Sequence, residues 1–130
     1  MIVTDASVVV ELLLGTEASA RIANRLLDPE ETLHAPHLLD VEVARALRRY
    51  ALAGDITPRI GEQGLADLLD LPIVHHPHTL LIPRIWELRR SISAYDAAYV
   101  ALAEVLGAPL LTRDARLGRS HGHRARIELI

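Results

Sequence analysis

MIVTDASVVVELLLG, residues 1–15, predicts a short buried strand that ends at Asp5 and leads directly into a helix. An uninterrupted apolar run of this length is typical of a strand in a parallel sheet, where both faces are covered. Gly15 closes the predicted helix, because glycine readily adopts the left-handed conformation that ends many helices. The stretch APLLTRD (residues 108–114) has the same organisation, an apolar run that ends in Thr and Asp. The two stretches favour an α/β fold.

The rest of the chain alternates between strands and helices in the same way. Strand-like segments lie at residues 31–36, 72–77 and 124–130, and the last of them is predicted to be an edge strand. Helical patterns cover residues 17–27, 37–54, 58–71, 79–91 and 94–106. Because strands separated by helices form parallel sheets, the sequence predicts an α/β fold with a parallel sheet.

Composition limits the class of protein. A chain of 130 residues, half of them hydrophobic, is predicted to form one domain (residues 1–130) whose core is aliphatic, since Phe is absent. There is no cysteine, which excludes disulfides and thiolate metal sites. No apolar run approaches the ~18 residues that a membrane span needs, and the start lacks a basic region. We therefore expect a cytoplasmic protein.

The net charge of −3 is unevenly distributed along the chain. Residues 1–83 carry six arginines and twelve acidic residues, whereas residues 84–130 carry eight arginines and five acidic residues. A basic C-terminal third suits a polyanionic partner, and scattered surface arginines explain it equally well. The arginines of LRRY (47–50) and ELRR (87–90) are expected on solvated helix faces. Lysine is absent, which excludes any mechanism that needs one.

Four acidic residues are predicted to meet at one edge of the sheet. Asp5 and Asp114 each follow a predicted strand, and the carboxyl ends of parallel strands form the edge where ligands bind. Asp96 lies in the first turn of a predicted helix, and Glu42 lies about one turn into the helix after ETLHAP. Each acid also has a structural explanation: the three aspartates can cap helices, and Glu42 can be a solvated helix residue.

The convergence of four carboxylates predicts a metal site. Like charges that pack together repel each other and raise one another's pKa, which destabilises the fold unless a cation lies among them. Ligands that are all oxygen favour Mg²⁺ or Mn²⁺ over zinc. Such an ion can polarise a phosphoryl oxygen and activate water near neutral pH.

Four motifs, in this order, resemble those of the PIN-domain nucleases: TDAS (4–7), PHLLDVEVARAL (36–47), SAYDAAYVALAE (93–104) and LLTRDARL (110–117). The resemblance covers the whole chain and is close to the VapC toxins of bacterial toxin–antitoxin systems. It implies a three-layer α/β/α sandwich with a central parallel sheet, and Mg²⁺- or Mn²⁺-dependent RNA endonuclease activity. It also implies a homodimer and a small VapB-like antitoxin that blocks the site.

The resemblance also implies roles for individual residues. Four positions match the family's acidic quartet, which holds the metal ion: Asp5, Glu42, Asp96 and Asp114. Thr112 matches a hydroxyl position two residues before the last acid, and Ser7 matches a small hydroxyl residue two after the first. These six residues form the predicted catalytic set. Four arginines that flank the acidic motifs are predicted to contact RNA phosphates: Arg89, Arg90, Arg113 and Arg116.

Three other functions are weighed against a nuclease. A receiver domain of a two-component system also gathers acids around Mg²⁺ at a parallel-sheet edge, but it uses a lysine near its last strand. Phosphatases similar to haloacid dehalogenases also use a lysine, and they carry a second Asp where this chain has Ser7. The third alternative is a catalytically inactive interaction module with the same fold, against which the complete acidic quartet argues.

Three weaker signals receive structural interpretations. The stretches HHPH (75–78) and HGH (121–123) lack the helical spacing and neighbouring cysteines of zinc sites, and we expect a loop of surface histidines instead. The helix SVVVELLL (7–14) is apolar nearly all round, which either a partner surface or complete burial against the sheet would explain. Trp86 lies among apolar residues of an amphipathic helix and is expected in the core or in an interface.

Overall fold

The computed structural model describes residues Met1–Ile130, and its centre is a five-stranded parallel sheet. The strands are β1 Ile2–Thr4, β2 Leu33–Pro36, β3 Ile73–His76, β4 Leu110–Thr112 and β5 Ile127–Leu129. Their order across the sheet is β3-β2-β1-β4-β5, and every neighbouring pair is parallel. The predicted parallel sheet with a C-terminal edge strand is confirmed, and β1 lies in its middle.

Seven helices connect the strands: α1 Ala6–Leu14, α2 Ser19–Leu26, α3 Leu38–Ala53, α4 Pro58–Asp70, α5 Ile82–Glu87, α6 Ala94–Leu106 and α7 Ala115–Gly118. Several of these helices begin or end at residues that favour helix termini. Gly15 and Gly107 end α1 and α6 with positive φ, and the Ser93 hydroxyl accepts the backbone N–H of Asp96 at the start of α6. α7 is a single turn that Asp114 caps, as the structural explanation of this acid suggests, although the helical patterns of the sequence do not include it. None of the helices has the length and apolarity needed to cross a membrane.

Apolar side chains cover both faces of the sheet, which makes the fold a three-layer α/β/α sandwich. Consecutive strand residues point to opposite faces, so Ile2 and Val3 of β1 belong to different clusters. The smaller cluster joins the sheet to α1 and α2 and contains Ile2, Val8, Ile22, Leu26, Leu33 and Leu111. The larger cluster joins the sheet to α3 and α6, and Leu39, Val43 and Val100 lie in it. The predicted fold class is confirmed.

Burial on both clusters explains much of the apolar character of α1. Val8 belongs to the smaller cluster, whereas Val9 and Val10 belong to the larger one. Leu13 and Leu14 are half-buried and pack against the larger cluster. Burial against the sheet accounts for Val8, Val9 and Val10, whereas residues 12–14 are only half-buried, so a partner surface on this helix stays a prediction.

The segment 79–91 differs from the single helix predicted for it. A 3₁₀ turn at Thr79–Leu81 precedes the six residues of α5, and hydrogen-bonded turns then lead to α6. Trp86 of α5 is not in the core: it is 67% exposed, and the guanidinium of Arg89 lies 4.6 Å from its ring centroid. Six helical residues offer one narrow face to the core, and Trp86 points away from it.

Candidate active site

The carboxyl ends of the central strands carry the predicted acids. Asp5 follows β1 directly, and Asp114 lies two residues after β4, the neighbour of β1. Asp96 is in the first turn of α6, and Glu42 is in the second turn of α3, the helix after β2. Asp5 is buried, and the other three are partly exposed. We call these four residues the acidic edge.

Asp5 is the most constrained carboxylate of the acidic edge. Its Oδ1 accepts hydrogen bonds from the Ser7 hydroxyl (2.6 Å) and from the backbone N–H of Val8 (3.2 Å), which caps α1. Its Oδ2 accepts from the Thr112 hydroxyl (2.5 Å). Since each carboxylate oxygen offers about two acceptor positions, both positions on Oδ1 are used and one on Oδ2 is left.

The two predicted hydroxyl residues connect Asp5 to the loop after β4. Ser7 Oγ accepts the backbone N–H of Arg113 (3.0 Å), and Thr112 Oγ1 accepts the backbone N–H of Asp114 (3.0 Å). Thr112 is completely buried. The geometry gives these hydroxyls a positioning role, since each donates its proton to Asp5 and holds the Asp114 loop with its lone pairs.

Tyr99 contacts the acidic edge, and the sequence analysis missed it. Its hydroxyl donates to Glu42 Oε1 (2.9 Å), and its ring is buried in the larger core cluster. The signal available in the sequence is its spacing: Tyr99 is three residues after Asp96, so the two share one side of α6. An aromatic residue in an apolar helix suggests only core packing, and the hydroxyl finds Glu42 through tertiary structure.

Burial raises the pKa of three acids in the acidic edge, and repulsion between carboxylates adds to the effect for two of them. Burial raises the pKa of Asp5, although its hydrogen-bond donors oppose the change. Burial also raises the pKa of Glu42, and the charges of Asp5 and Asp96 raise it further. The pKa of Asp96 is raised by burial and then by the charge of Asp114, against the Ser93 hydroxyl. None of these three forms an ion pair.

Asp114 is the exception in the acidic edge. Its carboxylate accepts the backbone N–H of Arg116 (2.8 Å) and pairs with the Arg116 guanidinium (3.1 Å). The hydrogen bond from Arg116 is the main cause of its lowered pKa. The capping explanation therefore holds for Asp5 and Asp114, but it accounts for neither the burial of Asp5 nor the unpaired charges of Glu42 and Asp96.

The donor set of the acidic edge fits a hard divalent cation. All of its possible ligating atoms are carboxylate oxygens, which suit Mg²⁺ or Mn²⁺, and three of the four carboxylates form no ion pair. As the side chains lie, no three acidic or imidazole groups of the chain are arranged to hold one ion between them.

The histidines of HHPH (75–78) do not form such a metal-binding group either. His75 and His76 are half-buried in β3 instead of lying in a surface loop, and they bond to Asp40 and His34.

Two clefts open beside the acidic edge. The first cleft, of about 240 Å³, lies between α1 and α3 and is lined by Ser7, Glu42, Arg45, Arg49 and Arg113 among others. The second cleft, of about 500 Å³, is lined by Asp96, Asp114, Arg116, Arg119 and His121 among others.

The predicted RNA-contacting arginines divide between these clefts and the outer surface. Arg113 lines the first cleft and Arg116 the second. Arg89 packs on Trp86, and Arg90 is in the turn before α6; neither lines a cleft. The RNA contacts of all four stay predictions.

Comparisons with known proteins place the chain among relatives. A family model described as the PIN domain matches residues 2–121. Ribonuclease VapC12 of Mycobacterium tuberculosis is 46% identical over 130 residues, which cover 100% of this chain and 99% of that protein. The crystal structure of PAE2754 from Pyrobaculum aerophilum superposes with a TM-score of 0.70 at 23% identity and covers 97% of this chain and 81% of that one. The structure of VapBC2 from Rickettsia felis, bound to a DNA fragment from their promoter, also gives 0.70, at 14% identity over 99% and 98% of the two chains.

Proposed function

The chain belongs to the PIN-domain family, and from this membership we propose that it is a metal-dependent endoribonuclease, the toxin of a toxin–antitoxin pair. The observation that carries the proposal is the acidic edge itself: three carboxylates without a cationic partner at the carboxyl ends of the central strands, in a chain 46% identical to a ribonuclease. The family match over residues 2–121 argues against the receiver and phosphatase alternatives.

Asp5, Glu42, Asp96 and Asp114 would hold a Mg²⁺ or Mn²⁺ ion. When bound, this ion supplies Lewis-acid polarisation of a phosphoryl oxygen of the RNA. Ser7 and Thr112 fix the orientation of the Asp5 carboxylate, and Tyr99 fixes that of Glu42. Because Oδ2 of Asp5 has an acceptor position left, this carboxylate would be able to bind the ion without losing a hydrogen bond. The protein thus contributes a preorganised set of negative oxygens, which is rigid around Asp5.

The proposal extends to the partners of the chain. We propose that residues 1–130 act as one nuclease domain in the cytoplasm, that two copies form a homodimer, and that a small VapB-like antitoxin blocks the acidic edge. The dimer and the antitoxin are what the resemblance to the VapC toxins implies. A purified chain that is strictly monomeric at tens of micromolar, by light scattering, would contradict the dimer.

Cleavage of labelled RNA by the purified chain tests the central proposal. We expect cleavage with Mg²⁺ or Mn²⁺ and none after treatment with EDTA, with recovery when the ion is restored. Asp70→Asn is a matched control, because Asp70 is an exposed acid at the end of α4, far along the chain from the acidic edge. Cleavage that persists after rigorous chelation would overturn the metal mechanism, and no cleavage under any condition would favour the inactive interaction module.

A further inference from the structure

Three arginines of the two clefts form no ion pair, unlike Arg116, which pairs with Asp114. Arg45 and Arg49 are exposed, are one turn apart on α3, and line the first cleft together with Glu42. Arg119 is exposed and lines the second cleft together with Asp96. None of these three guanidinium groups lies within 4.0 Å of a carboxylate. No ion pair holds these guanidinium groups, although the charge of Arg45 does lower the pKa of Glu42 against the effect of burial.

The two groups of arginines flank the acidic edge from opposite sides. Glu42, in the first cleft, belongs to the helix after β2, whereas Asp114, in the second, follows β4. β2 and β4 are the two neighbours of β1, at whose end Asp5 lies. The first cleft is also lined by Arg113, which directly precedes Asp114 of the second cleft, so a ligand that runs from one cleft to the other passes the acidic edge.

Four carboxylates repel a polyanion, and the one divalent ion proposed among them offsets only part of their charge, so cations beside the edge favour its approach. Each phosphate of an RNA strand is repelled by the acidic edge, and arginines that contact phosphates offset this repulsion by releasing counterions. We infer that a single RNA strand crosses the acidic edge between two binding clusters, with Arg45 and Arg49 on one side and Arg119 on the other. This inference rests on the proposed function and specifies how that site holds its substrate.

The arginines of these clusters bind phosphates, which positions the strand and carries no sequence information. Because the binding of a phosphate by an arginine is a charge effect, the strength of each cluster appears in the dependence of RNA affinity on salt. For a single strand, the slope of log K against log salt changes by about 0.7 for each phosphate that the protein no longer neutralises. A purely structural arginine leaves this slope unchanged.

Fluorescence anisotropy of a short labelled single-stranded RNA, titrated with the chain in EDTA at several salt concentrations, measures phosphate binding by each cluster. We expect the double variant Arg45→Ala/Arg49→Ala to reduce the salt slope by about 1.4 and Arg119→Ala to reduce it by about 0.7. The matched control is Arg48→Ala/Arg59→Ala, which removes the same charge from two exposed, unpaired arginines of α3 and α4 that line neither cleft. The control slope should match that of the parent.

Cleavage kinetics with Mg²⁺ provide a second readout. The cleft variants should raise KM about tenfold or more and leave kcat near the parental value, because arginines remote from the reacting bond bind the ground state and the transition state alike. A parent that cuts RNA while the cleft variants and the control give the same slope and the same KM would overturn the inference alone. A parent that binds RNA with the expected slopes and cuts nothing would instead overturn the proposed nuclease function.

Discussion

Each end of α6 carries an acid, and the pKa values of these two acids are shifted in opposite directions. Asp96 lies in the first turn, where the helix dipole favours a carboxylate, and yet its pKa is raised. Glu104 lies in the last turn, where the dipole disfavours a carboxylate, and yet its pKa is lowered. The difference comes from tertiary partners: Glu104 accepts two hydrogen bonds from Arg84 (2.8 and 3.0 Å) and the backbone N–H of Arg124 (2.8 Å).

The charge of Glu104 stabilises the fold, whereas the charge of Asp96 is free to bind a ligand. Arg84 compensates Glu104 and thereby connects α5 to the end of α6. Asp96 has no cationic partner within ion-pair distance, and the charge of Asp114 in the acidic edge repels it. A carboxylate that is half-buried and unpaired costs stability, and a protein keeps such a group where a cation binds in the functional state.

The largest expected effect is on the unpaired end of α6. Asp96→Asn keeps the shape and one oxygen but removes the charge, so RNA cleavage should fall by more than ~100-fold as Mg²⁺ affinity falls. The metal-free variant should unfold at the same temperature as the parent or higher, because a repulsive charge is gone. Added Mg²⁺ should raise the melting temperature of the parent and leave that of the variant nearly unchanged.

Circular dichroism melts with and without Mg²⁺, together with a cleavage assay, check this prediction, with Asp70→Asn as the control. If Asp96 serves only to start α6, Asn loses a charge–dipole interaction of a few tenths to ~1 kcal/mol. A variant that melts lower than the parent and still cuts RNA at the parental rate would show that both ends of α6 are structural.

The next largest effect is expected where a hydrogen-bond donor of the protein, the Thr112 hydroxyl, stabilises the Asp5 carboxylate. Thr112→Val keeps the volume of a completely buried side chain but removes the hydroxyl that donates to Asp5 and accepts from Asp114. We expect a loss of about 2 kcal/mol in the free energy of unfolding, because a buried carboxylate and a backbone N–H both lose a partner. Urea denaturation measures the loss.

Thr112→Ser is the matched control, since it keeps the hydroxyl and removes only a methyl group. The serine variant should bind metal and cut RNA like the parent, apart from a small packing loss. Equal stability of the valine variant and the parent would mean that the Thr112 hydroxyl does not hold Asp5.

The smallest effect is expected at the paired end of α6. Glu104→Gln removes the charge from the pair with Arg84 and should lower the free energy of unfolding by about 1 kcal/mol, a modest amount because Arg84 is partly exposed and solvent screens the pair. RNA cleavage should be unaffected. Glu87→Gln is the control, because Glu87 pairs with the same arginine but is far more exposed.

The pH dependence of this variant sharpens the comparison. The folded-state pKa of Glu104 lies below its ordinary value of 4.5, so its ionised form stabilises the fold at every pH above 4.5. The stability difference between the parent and Glu104→Gln should be full at neutral pH and should shrink as the pH falls below 4.5, through the lowered pKa. A difference that grows on acidification would contradict the assignment of Glu104 as a stabilising charge.

The sequence predicted the parts of the fold that depend on local pattern. Apolar runs ended by Asp5 and Asp114 indicated two central strands, and Gly15 marked the end of α1 correctly. The segment around Trp86 was misjudged, because an apolar stripe indicates a buried face only where the helix is long enough to present one to the core.

For the acidic edge, the sequence predicted which acids lie near the carboxyl ends of the strands. The states of its charges were not, because they depend on side chains distant in sequence: Tyr99 for Glu42, Thr112 for Asp5. Arg45 and Arg49 were missed for the same reason. Arg49 belongs to LRRY, which suggests a solvated helix face, and Arg45 lies one turn earlier on the same helix. Only the packing of α1 beside α3 turns that face into the wall of a cleft.

The exposure of Trp86 determines what optical spectroscopy reports for this chain. It is the single tryptophan, and its indole already contacts solvent in the folded state. Its emission maximum should therefore lie close to that of a free indole in water and should shift little when the core melts, so fluorescence is a poor probe of unfolding. The same property makes Trp86 a selective reporter of whatever docks on α5, since a blue shift of its emission can arise only when that surface loses water.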